Sequence, residues 1–421
     1  MYEVFISYRR SDGTELARSI KEILSSDYKV FFDHSSLRDG KWRMKLNQAL
    51  EEVPVILCLM TRDLFGDWGK QGDCVQHELE RAIEKNKLII PVEVSGDFNG
   101  IPEGVPSKIK SAIEGEQFAL VHKDQSFERD IHDIKERLRS VVERSREEMR
   151  RGDNEIQKAK NFLWGSNGKK RNLQEAFRLF QIVNKAIPYR ADALVGIGLC
   201  FRESGQYDKA VDYFKQAGEK GNGEAYFLIA EIYEQIGDSP IIYGKYYDLS
   251  ANLDYAPALI KKGIEAKDSD DNEKALLYFN EASKLGNSEG YYQSALIYEK
   301  EGKAHWNTEK LQRALDLIQK AIDNGNAEAM NHLGIMYNRG DIIKRDNSKA
   351  FELVSKAADA GYIIAQYNKG CMLLDGVGVE KNKKLGKKWL EFAMQNGSEE
   401  AKKKLEEVNS GIWHAISNLF G

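Results

Sequence analysis

Residues 3–12 read Glu-Val-Phe-Ile-Ser-Tyr-Arg-Arg-Ser-Asp, an apolar run that passes directly into a polar one. The apolar part predicts a β-strand over Glu3–Ser7, and the polar part predicts a turn before a helix near Thr14–Ser25. A strand that leads through a short polar loop into a helix is typical of α/β proteins. In such proteins ligands bind beyond the carboxyl ends of the strands, where this loop would lie.

The alternation of strands and helices continues to about residue 143. Further strands are predicted at Lys29–Asp33, Pro54–Met60, Leu88–Val94 and Gln117–Val121. Further helices are predicted at Lys41–Glu51, Asp73–Lys85 and Phe127–Val142. Because Pro54–Met60 (PVILCLM) is apolar throughout, it is suited to a strand that is buried on both faces. The pattern predicts a five-stranded parallel sheet with helices on both sides.

A different pattern begins near residue 156. In its later part glycines and alanines recur together every 36 residues, and looser copies of the same pattern lie upstream at Ala217–Ala225 and Ala282–Gly290. The clearest sets are Gly325, Gly361, Gly397 and Ala329, Ala365, Ala401. A unit of this length is typically a pair of antiparallel helices that buries its apolar face only by stacking on neighbouring units. We therefore predict an all-α solenoid of roughly seven helical hairpins over residues 156–408.

Two short segments border this solenoid. Residues 144–155 are charge-dense and carry Glu and Arg at helical spacing, so they are interpreted as a linker or as an extension of the preceding helix. Residues 409–421 carry apolar residues at helical spacing and are interpreted as a C-terminal cap or tail. Weak contact with a membrane or a partner is the alternative for this tail. The first domain is accordingly placed at residues 1–143.

The composition excludes several classes of protein. Of the 421 residues, 62 are Lys or Arg and 66 are Asp or Glu, a balance that predicts no nucleic-acid partner. Neither the four cysteines nor the seven histidines have the spacing of a disulfide framework or a metal site. No signal peptide and no membrane-spanning run are visible, so a cytoplasmic location is expected.

Four motifs of the first domain resemble those of the TIR family and occur in the same order. They are Phe5–Asp12, Val30–Trp42, Asp73–Ala82 and Asn86–Val92. The resemblance is closest to TIR domains of bacterial defence proteins and of the animal NADase that drives axon degeneration. It implies a flavodoxin-like fold and an NAD⁺ nucleosidase that releases nicotinamide and linear or cyclic ADP-ribose. NAD⁺ would be the substrate, and no cofactor is implied.

The repeats resemble those of the Sel1-like family, which is related to the tetratricopeptide repeats. The match is closest at Ala329–Gly340 and Ala357–Gly361, whereas the upstream units are more similar to generic tetratricopeptide hairpins. The resemblance implies protein binding or assembly rather than catalysis. An unknown protein or ligand trigger would bind the solenoid, or the solenoid would drive clustering.

The TIR resemblance implies that Glu78 is the catalytic residue. Nicotinamide leaves NAD⁺ as a neutral base, so the reaction needs no general acid. A fixed carboxylate in a dry cleft would stabilise the positive charge that grows on the ribose. One carboxylate would therefore suffice, whereas ordinary glycosidases use two. The alternative is a surface glutamate on a helix, like Glu80 or Glu84.

Further substrate contacts are expected at the same edge of the sheet. Arg9 and Arg10 could bind the phosphates of NAD⁺, or could form a solvated loop pair. The family resemblance places Trp42 near the nicotinamide, where it could stack on the pyridinium ring; the alternative is packing on the core. Ser7 and Tyr8 are interpreted as structural residues.

Gly40 and Cys74 complete the predicted site. Gly40 lies in the loop that, in related TIR domains, packs against a neighbouring TIR domain, which implies activation by self-association. Cys74 stands where the enzymatic members have Trp, four residues before the glutamate, and Trp68 could substitute for that missing ring. Two functions follow: an NADase in immune or antiviral defence, or a catalytically silent signalling adaptor.

Overall fold

The computed structural model describes residues 2–32, 40–70, 73–94 and 96–420, with only the backbone described at residues 40–45 and 410–420. The predicted loop residues Leu37–Asp39 and the side chain of Trp42 therefore lie outside the described part. The chain divides into two compact units, Met1–Tyr246 and Tyr247–Gly421. The first contains the sheet and the beginning of the helical repeats.

The predicted parallel sheet is confirmed. Its strands are β1 Val4–Ser7, β2 Val30–Phe31, β3 Val55–Met60, β4 Leu88–Val94 and β5 Ala119–Val121. Their order is β2-β1-β3-β4-β5, and every pairing is parallel. All six residues of β3 are buried, as its unbroken apolar sequence predicts.

Helices cover both faces of the sheet. They are α1 Thr14–Leu24, α2 Gly40–Glu52, α3 Cys74–Glu84, α4 Ser107–Glu114 and α5 Phe127–Trp164. Because successive side chains of a strand point to opposite faces, Val4 and Ile6 pack with α1 and α5. Phe5 points the other way and packs with α2, α3 and α4. Ser7, two residues after Phe5, belongs to this second face.

Helix α4 was not predicted. Its eight residues bury only Ile109 and Ile113, four positions apart. This is too short a pattern to be distinguished from a loop by periodicity. Helix α5 continues without a break to Trp164 and so includes residues 144–155. Within that stretch Arg146 donates to both carboxylate oxygens of Glu3 at 2.6 and 2.9 Å.

The rest of the described chain is helical. The helices are α6 Leu173–Ala186, α7 Ala191–Glu203, α8 Tyr207–Glu219, α9 Gly223–Gln235, α10 Pro240–Asn252, α11 Ala256–Asp268, α12 Asn272–Lys284, α13 Ser288–Ala304, α14 Thr308–Asp323, α15 Ala327–Arg339, α16 Asn347–Asp359, α17 Ile363–Asp375, α18 Lys383–Gln395 and α19 Glu399–Phe420. This run of helices confirms the predicted all-α repeats.

A glycine followed by asparagine marks many of the turns between these helices. Gly325 has a φ of 82°, which ends one helix in a left-handed conformation. The side chain of Asn326 then accepts a hydrogen bond from the backbone N–H of Ala329 and begins α15. Gly221–Asn222 and Gly286–Asn287 repeat the arrangement. Within the 36-residue set, Gly361 and Gly397 share the left-handed conformation of Gly325 but are not followed by Asn. The interval seen in the sequence is thus the recurrence of a left-handed glycine at the end of a helix.

Small residues let the repeat helices approach closely. The recurring Ala329, Ala365 and Ala401 are completely buried. In the first unit, any side chain added at Gly196 would overlap the ring of Phe180. The second unit has the same arrangement at Gly263 and Phe279. Substitution of these glycines would therefore push the neighbouring helix away.

Lys87 lies where the first domain meets the first repeats, inside the first unit. Its Nζ donates to the backbone carbonyl of Glu51 at 2.7 Å and lies 5.0 Å from the centre of the Tyr189 ring. Burial lowers the pKa of Lys87 from 10.5 to about 8. The charged form of this lysine is therefore disfavoured in the folded chain.

This lowered pKa predicts that the first unit becomes more stable as the pH rises from about 8 to about 10. In that range the unfolded chain binds a proton that the folded chain has lost. The gain is at most about 1.4 kcal/mol per pH unit, reduced by the solvent that reaches this half-buried group. Calorimetry at several pH values should show that the melting temperature of the wild type rises relative to that of Lys87→Met as the pH increases. The control Lys108→Met, at an exposed lysine, should show the same pH dependence as the wild type. The same pH dependence in Lys87→Met would contradict the prediction.

No helix in the described ranges combines the length and the apolar character that crossing a membrane requires. Within the same ranges, no group of three or more His, Cys, Asp or Glu side chains is placed to hold a metal ion.

Candidate active site

Glu78 belongs to helix α3, and its carboxylate lies at the carboxyl end of β1. Its side chain points toward the sheet, together with the buried Val75, Leu79 and Ala82, and only 6% of the residue is exposed. Ser7, the last residue of β1, donates its hydroxyl to Oε2 of Glu78 over 2.6 Å. The glutamate is thus not a surface residue like the exposed Glu80 on the same helix.

The groups around Glu78 on the first and third strands are buried. Cys58 of β3 pairs with Ser7 in the strand register and is completely buried. Burial raises the pKa of the Cys58 thiol, and the negative charge of Glu78 raises that pKa further. The thiol therefore stays protonated. A carboxylate in such a place acts on a nearby positive charge more strongly than it would in water.

The start of helix α3 is fixed by Asp73. Its Oδ1 accepts hydrogen bonds from the backbone N–H groups of Val75 and Gln76, at 3.0 and 3.4 Å. These are donors that the helix itself cannot satisfy, so Asp73 is an N-cap. The Asp73 side chain is only 1% exposed. The position of α3, and with it the position of Glu78, depends on this cap.

Arg9 binds the same carboxylate with two nitrogens. Its Nη1 lies 3.1 Å from Oδ1 of Asp73, and its Nη2 lies 3.1 Å from Oδ2. Nε and Nη2 also donate to the backbone carbonyl of Leu64, at 3.1 and 2.7 Å. The guanidinium therefore joins the loop after β1 to the loop after β3 and to α3. The fork geometry of arginine suits this paired recognition.

Asp12 makes a second connection between the two loops. Its Oδ1 accepts from the Thr61 hydroxyl at 2.9 Å, and its Oδ2 accepts from the backbone N–H of Asp63 at 2.8 Å. The carboxyl edge of β1 and β3 is thus held by contacts from both Arg9 and Asp12. A site built on such an edge is rigid before any ligand arrives.

The family models match this architecture. A TIR-domain model matches residues 4–135. A Sel1-repeat model matches residues 159–182, 245–287, 290–326, 327–362 and 363–398, and a tetratricopeptide-repeat model matches residues 192–220. The chain carries a TIR domain followed by Sel1 and tetratricopeptide repeats.

Two curated relatives match the TIR domain. NAD(+) hydrolase tir-1 of Caenorhabditis elegans is 30% identical over 128 residues, which are 29% of this chain and 13% of the relative. NAD(+) hydrolase sarm1 of Drosophila melanogaster is 32% identical over 94 residues, which are 21% of this chain and 7% of the relative. This chain thus spans a small part of the length of either relative.

Among solved structures, a Sel1 repeat protein from Oxalobacter formigenes is similar to the repeats. It is 21% identical, with a TM-score of 0.48, and the match covers 57% of this chain and 99% of that chain.

Three other predicted site residues of the TIR domain, Cys74, Arg10 and Gly40, lie on helices or loops at its surface or at a helix start. Cys74 is the first residue of α3, and its thiol is exposed, one helical turn before the buried Glu78. Arg10 is exposed, and its carbonyl accepts a hydrogen bond from the Thr14 hydroxyl. Gly40 is the first residue of α2. The roles of these residues in substrate binding remain predictions.

Trp68 and His77, which lie near Glu78 in the sequence, contact other side chains. Trp68 is partly buried in the apolar cluster on this face of the sheet, with its ring 5.4 Å from that of Phe65. His77 contacts Asn47 of α2, at 2.8 Å between Nε2 and Oδ1. Its adjacency to Glu78 in sequence thus does not place it beside the carboxylate, because successive helical residues point about 100° apart.

Sequence reasoning missed the contacts that Ser7 and Asp73 make. Ser7 was interpreted as structural, although its place two residues after Phe5 puts both on the face of the sheet that α3 covers. The sequence predicts Asp73 as the first residue of the helix Asp73–Lys85, whereas in the structure it is the N-cap before Cys74, a position typical of an aspartate directly before an amphipathic pattern. The sequence thus contains local signals for both positions. It does not show the contacts of Ser7 with Glu78 and of Asp73 with Arg9, because these residues are far apart in the chain.

Proposed function

We propose that the TIR domain is an NAD⁺ glycohydrolase in which Glu78 is the catalytic carboxylate. The observation that carries the proposal is the burial of Glu78 at the carboxyl end of β1, where the hydroxyl of Ser7 holds it. The two curated relatives of the TIR domain are both named NAD(+) hydrolases, which supports the same activity.

The proposed reaction breaks the bond between C1′ of the ribose and the pyridinium nitrogen. The bonding electron pair goes to that nitrogen, so nicotinamide leaves as a neutral molecule and the positive charge passes to the ribose. The Glu78 carboxylate stabilises this charge as it develops. Water then adds to C1′ and releases a proton to solvent, which gives ADP-ribose. In a cyclising enzyme a nitrogen of the adenine would attack C1′ in place of water.

The remaining parts of the proposal concern binding and control. Arg10, Trp42 and Cys74 would line the substrate site. Arg9 would contribute mainly by holding α3, because its donors already serve Asp73 and the Leu64 carbonyl. Self-association of TIR domains near Gly40 would activate the enzyme. A trigger bound to the repeats would promote that association, in a cytoplasmic protein of immune or antiviral defence.

The test is to mix the purified full chain with NAD⁺ and to follow the products by proton NMR. We expect nicotinamide and ADP-ribose, linear or cyclic, to appear in equal amounts. If self-association activates the enzyme, the rate per molecule should rise with protein concentration or with a crowding agent. Intact NAD⁺ under every condition, including a crowded one, would exclude the enzyme and favour the signalling adaptor.

A further inference from the structure

We propose that Ser7 is a positioning residue, whose hydroxyl fixes the orientation of the Glu78 carboxylate for catalysis. The inference rests on the proposed NADase function. Under this inference Ser7 does more than fill a buried position in the first strand, because its hydroxyl also affects the rate of NAD⁺ cleavage.

In the structure the Ser7 hydroxyl donates the hydrogen bond to the Glu78 carboxylate. This is the direction that an ionised carboxylate, which only accepts hydrogen bonds, requires. The hydroxyl oxygen lies 2.6 Å from Oε2 of Glu78. Separations of about 2.5–2.7 Å are typical of hydroxyl donors bound to charged acceptors. Such hydrogen bonds are stronger than those between neutral groups.

The donor is held on a rigid support. Ser7 is completely buried and belongs to β1, which pairs with β2 on one side and with β3 on the other. Directly across from it in the register is Cys58, which is also completely buried. A buried hydroxyl on an inner strand has little freedom to move, so it donates its hydrogen bond to the carboxylate from a fixed position.

Glu78 has a longer side chain than Ser7. It has three rotatable bonds, so the cap at Asp73 and the fork of Arg9 fix the helix but not the carboxylate, whose position depends on its own contacts, the Ser7 hydroxyl among them. Stabilisation of a developing charge requires the carboxylate to be aligned before the reaction begins. The Ser7 hydroxyl supplies that alignment at one of the two oxygens.

A purely structural role for Ser7 predicts a different result from a positioning role. If Ser7 only satisfies a buried acceptor, its removal should lower the melting temperature and leave kcat per folded molecule unchanged. If it positions Glu78, kcat should fall while KM for NAD⁺ stays nearly constant, because the substrate is bound mainly by other groups.

The experiment compares Ser7→Ala and Ser7→Thr in the full chain, with rates expressed per folded molecule. We expect kcat of Ser7→Ala to fall at least about 10-fold with KM within about twofold, and Ser7→Thr, which keeps the hydroxyl, to recover most of kcat. The control is Ser26→Ala, which removes an exposed hydroxyl that donates to Asp27 at 2.8 Å, and should leave kcat unchanged. Wild-type kcat in Ser7→Ala would overturn the inference.

A second readout does not depend on turnover. With glutamate labelled at its carboxyl carbon, the Glu78 signal, assigned through its loss in Glu78→Gln, should be a single sharp line in the wild type. In Ser7→Ala it should shift and broaden, because the carboxylate samples several positions. If the wild type is inactive but this change occurs, the NADase proposal fails while the orienting contact stands. An unchanged signal overturns the orienting contact itself.

Discussion

Replacing Glu78 with glutamine should lower the rate of nicotinamide release at least about 100-fold while the TIR domain stays folded. Glutamine has nearly the same shape, and its carbonyl oxygen can still accept the Ser7 hydroxyl. The substitution therefore removes the negative charge and little else. Because Glu78 is buried, little water can reach the site to stabilise the positive charge on the ribose in place of the carboxylate.

Two further variants separate charge from position. Glu78→Asp keeps the charge but withdraws it by one methylene, and a misplacement of about 1 Å can cost roughly 100-fold in rate. Glu80→Gln removes a charge from the exposed face of the same helix and should leave the rate unchanged. Initial rates at saturating NAD⁺ are the measurement. A Glu78→Gln enzyme with more than about a tenth of wild-type activity would remove Glu78 from its proposed role.

Asp73→Ala should destabilise the TIR domain by roughly 2–4 kcal/mol, because it removes the buried carboxylate that pairs with Arg9 and leaves the guanidinium only the Leu64 carbonyl and the more distant Asp67. The Asp73 side chain is 1% exposed and that of Arg9 is 12% exposed. The same change removes the N-cap of α3, for which the cost is typically about 1 kcal/mol. Loss of activity should accompany the loss of stability, since Glu78 lies in the second turn of this helix.

Urea unfolding followed by circular dichroism would measure this effect. Arg9→Leu should destabilise by a similar amount, and the double variant by much less than the sum, since the two side chains act as a pair. Lys70→Ala removes a partner from an exposed ion pair with Asp67 and should cause no measurable change. Additive effects of Arg9→Leu and Asp73→Ala would show that the pair does not hold α3.

The sheet could be predicted from the sequence because local patterns determine it. Apolar runs such as Pro54–Met60 identified the strands, and the alternation with helices predicted that they are parallel. The repeats could be predicted for a similar reason, since Gly325 and Ala329 recur at a fixed interval. Helix α4 could not be predicted, because a pattern of two buried isoleucines is too short to show a period.

The candidate site was predictable only in part. The position of Glu78 followed from its resemblance to the third TIR helix, but its partner Ser7 is 71 residues away in the chain. Arg9 has protein partners in Asp73 and Leu64 that the sequence did not predict, and its contact with the phosphates of NAD⁺ stays a prediction. Hydrogen bonds between distant residues depend on the packed fold, and no local pattern of residues reports them.

The central claim is that the charge of Glu78 acts on NAD⁺ during cleavage, and one sample of Glu78→Gln with NAD⁺ tests it most directly. Proton NMR of that sample reports both binding, as broadening of the NAD⁺ signals, and cleavage, as the appearance of free nicotinamide. We predict that Glu78→Gln broadens the signals as the wild type does and releases almost no nicotinamide. Release at the wild-type rate would contradict the account.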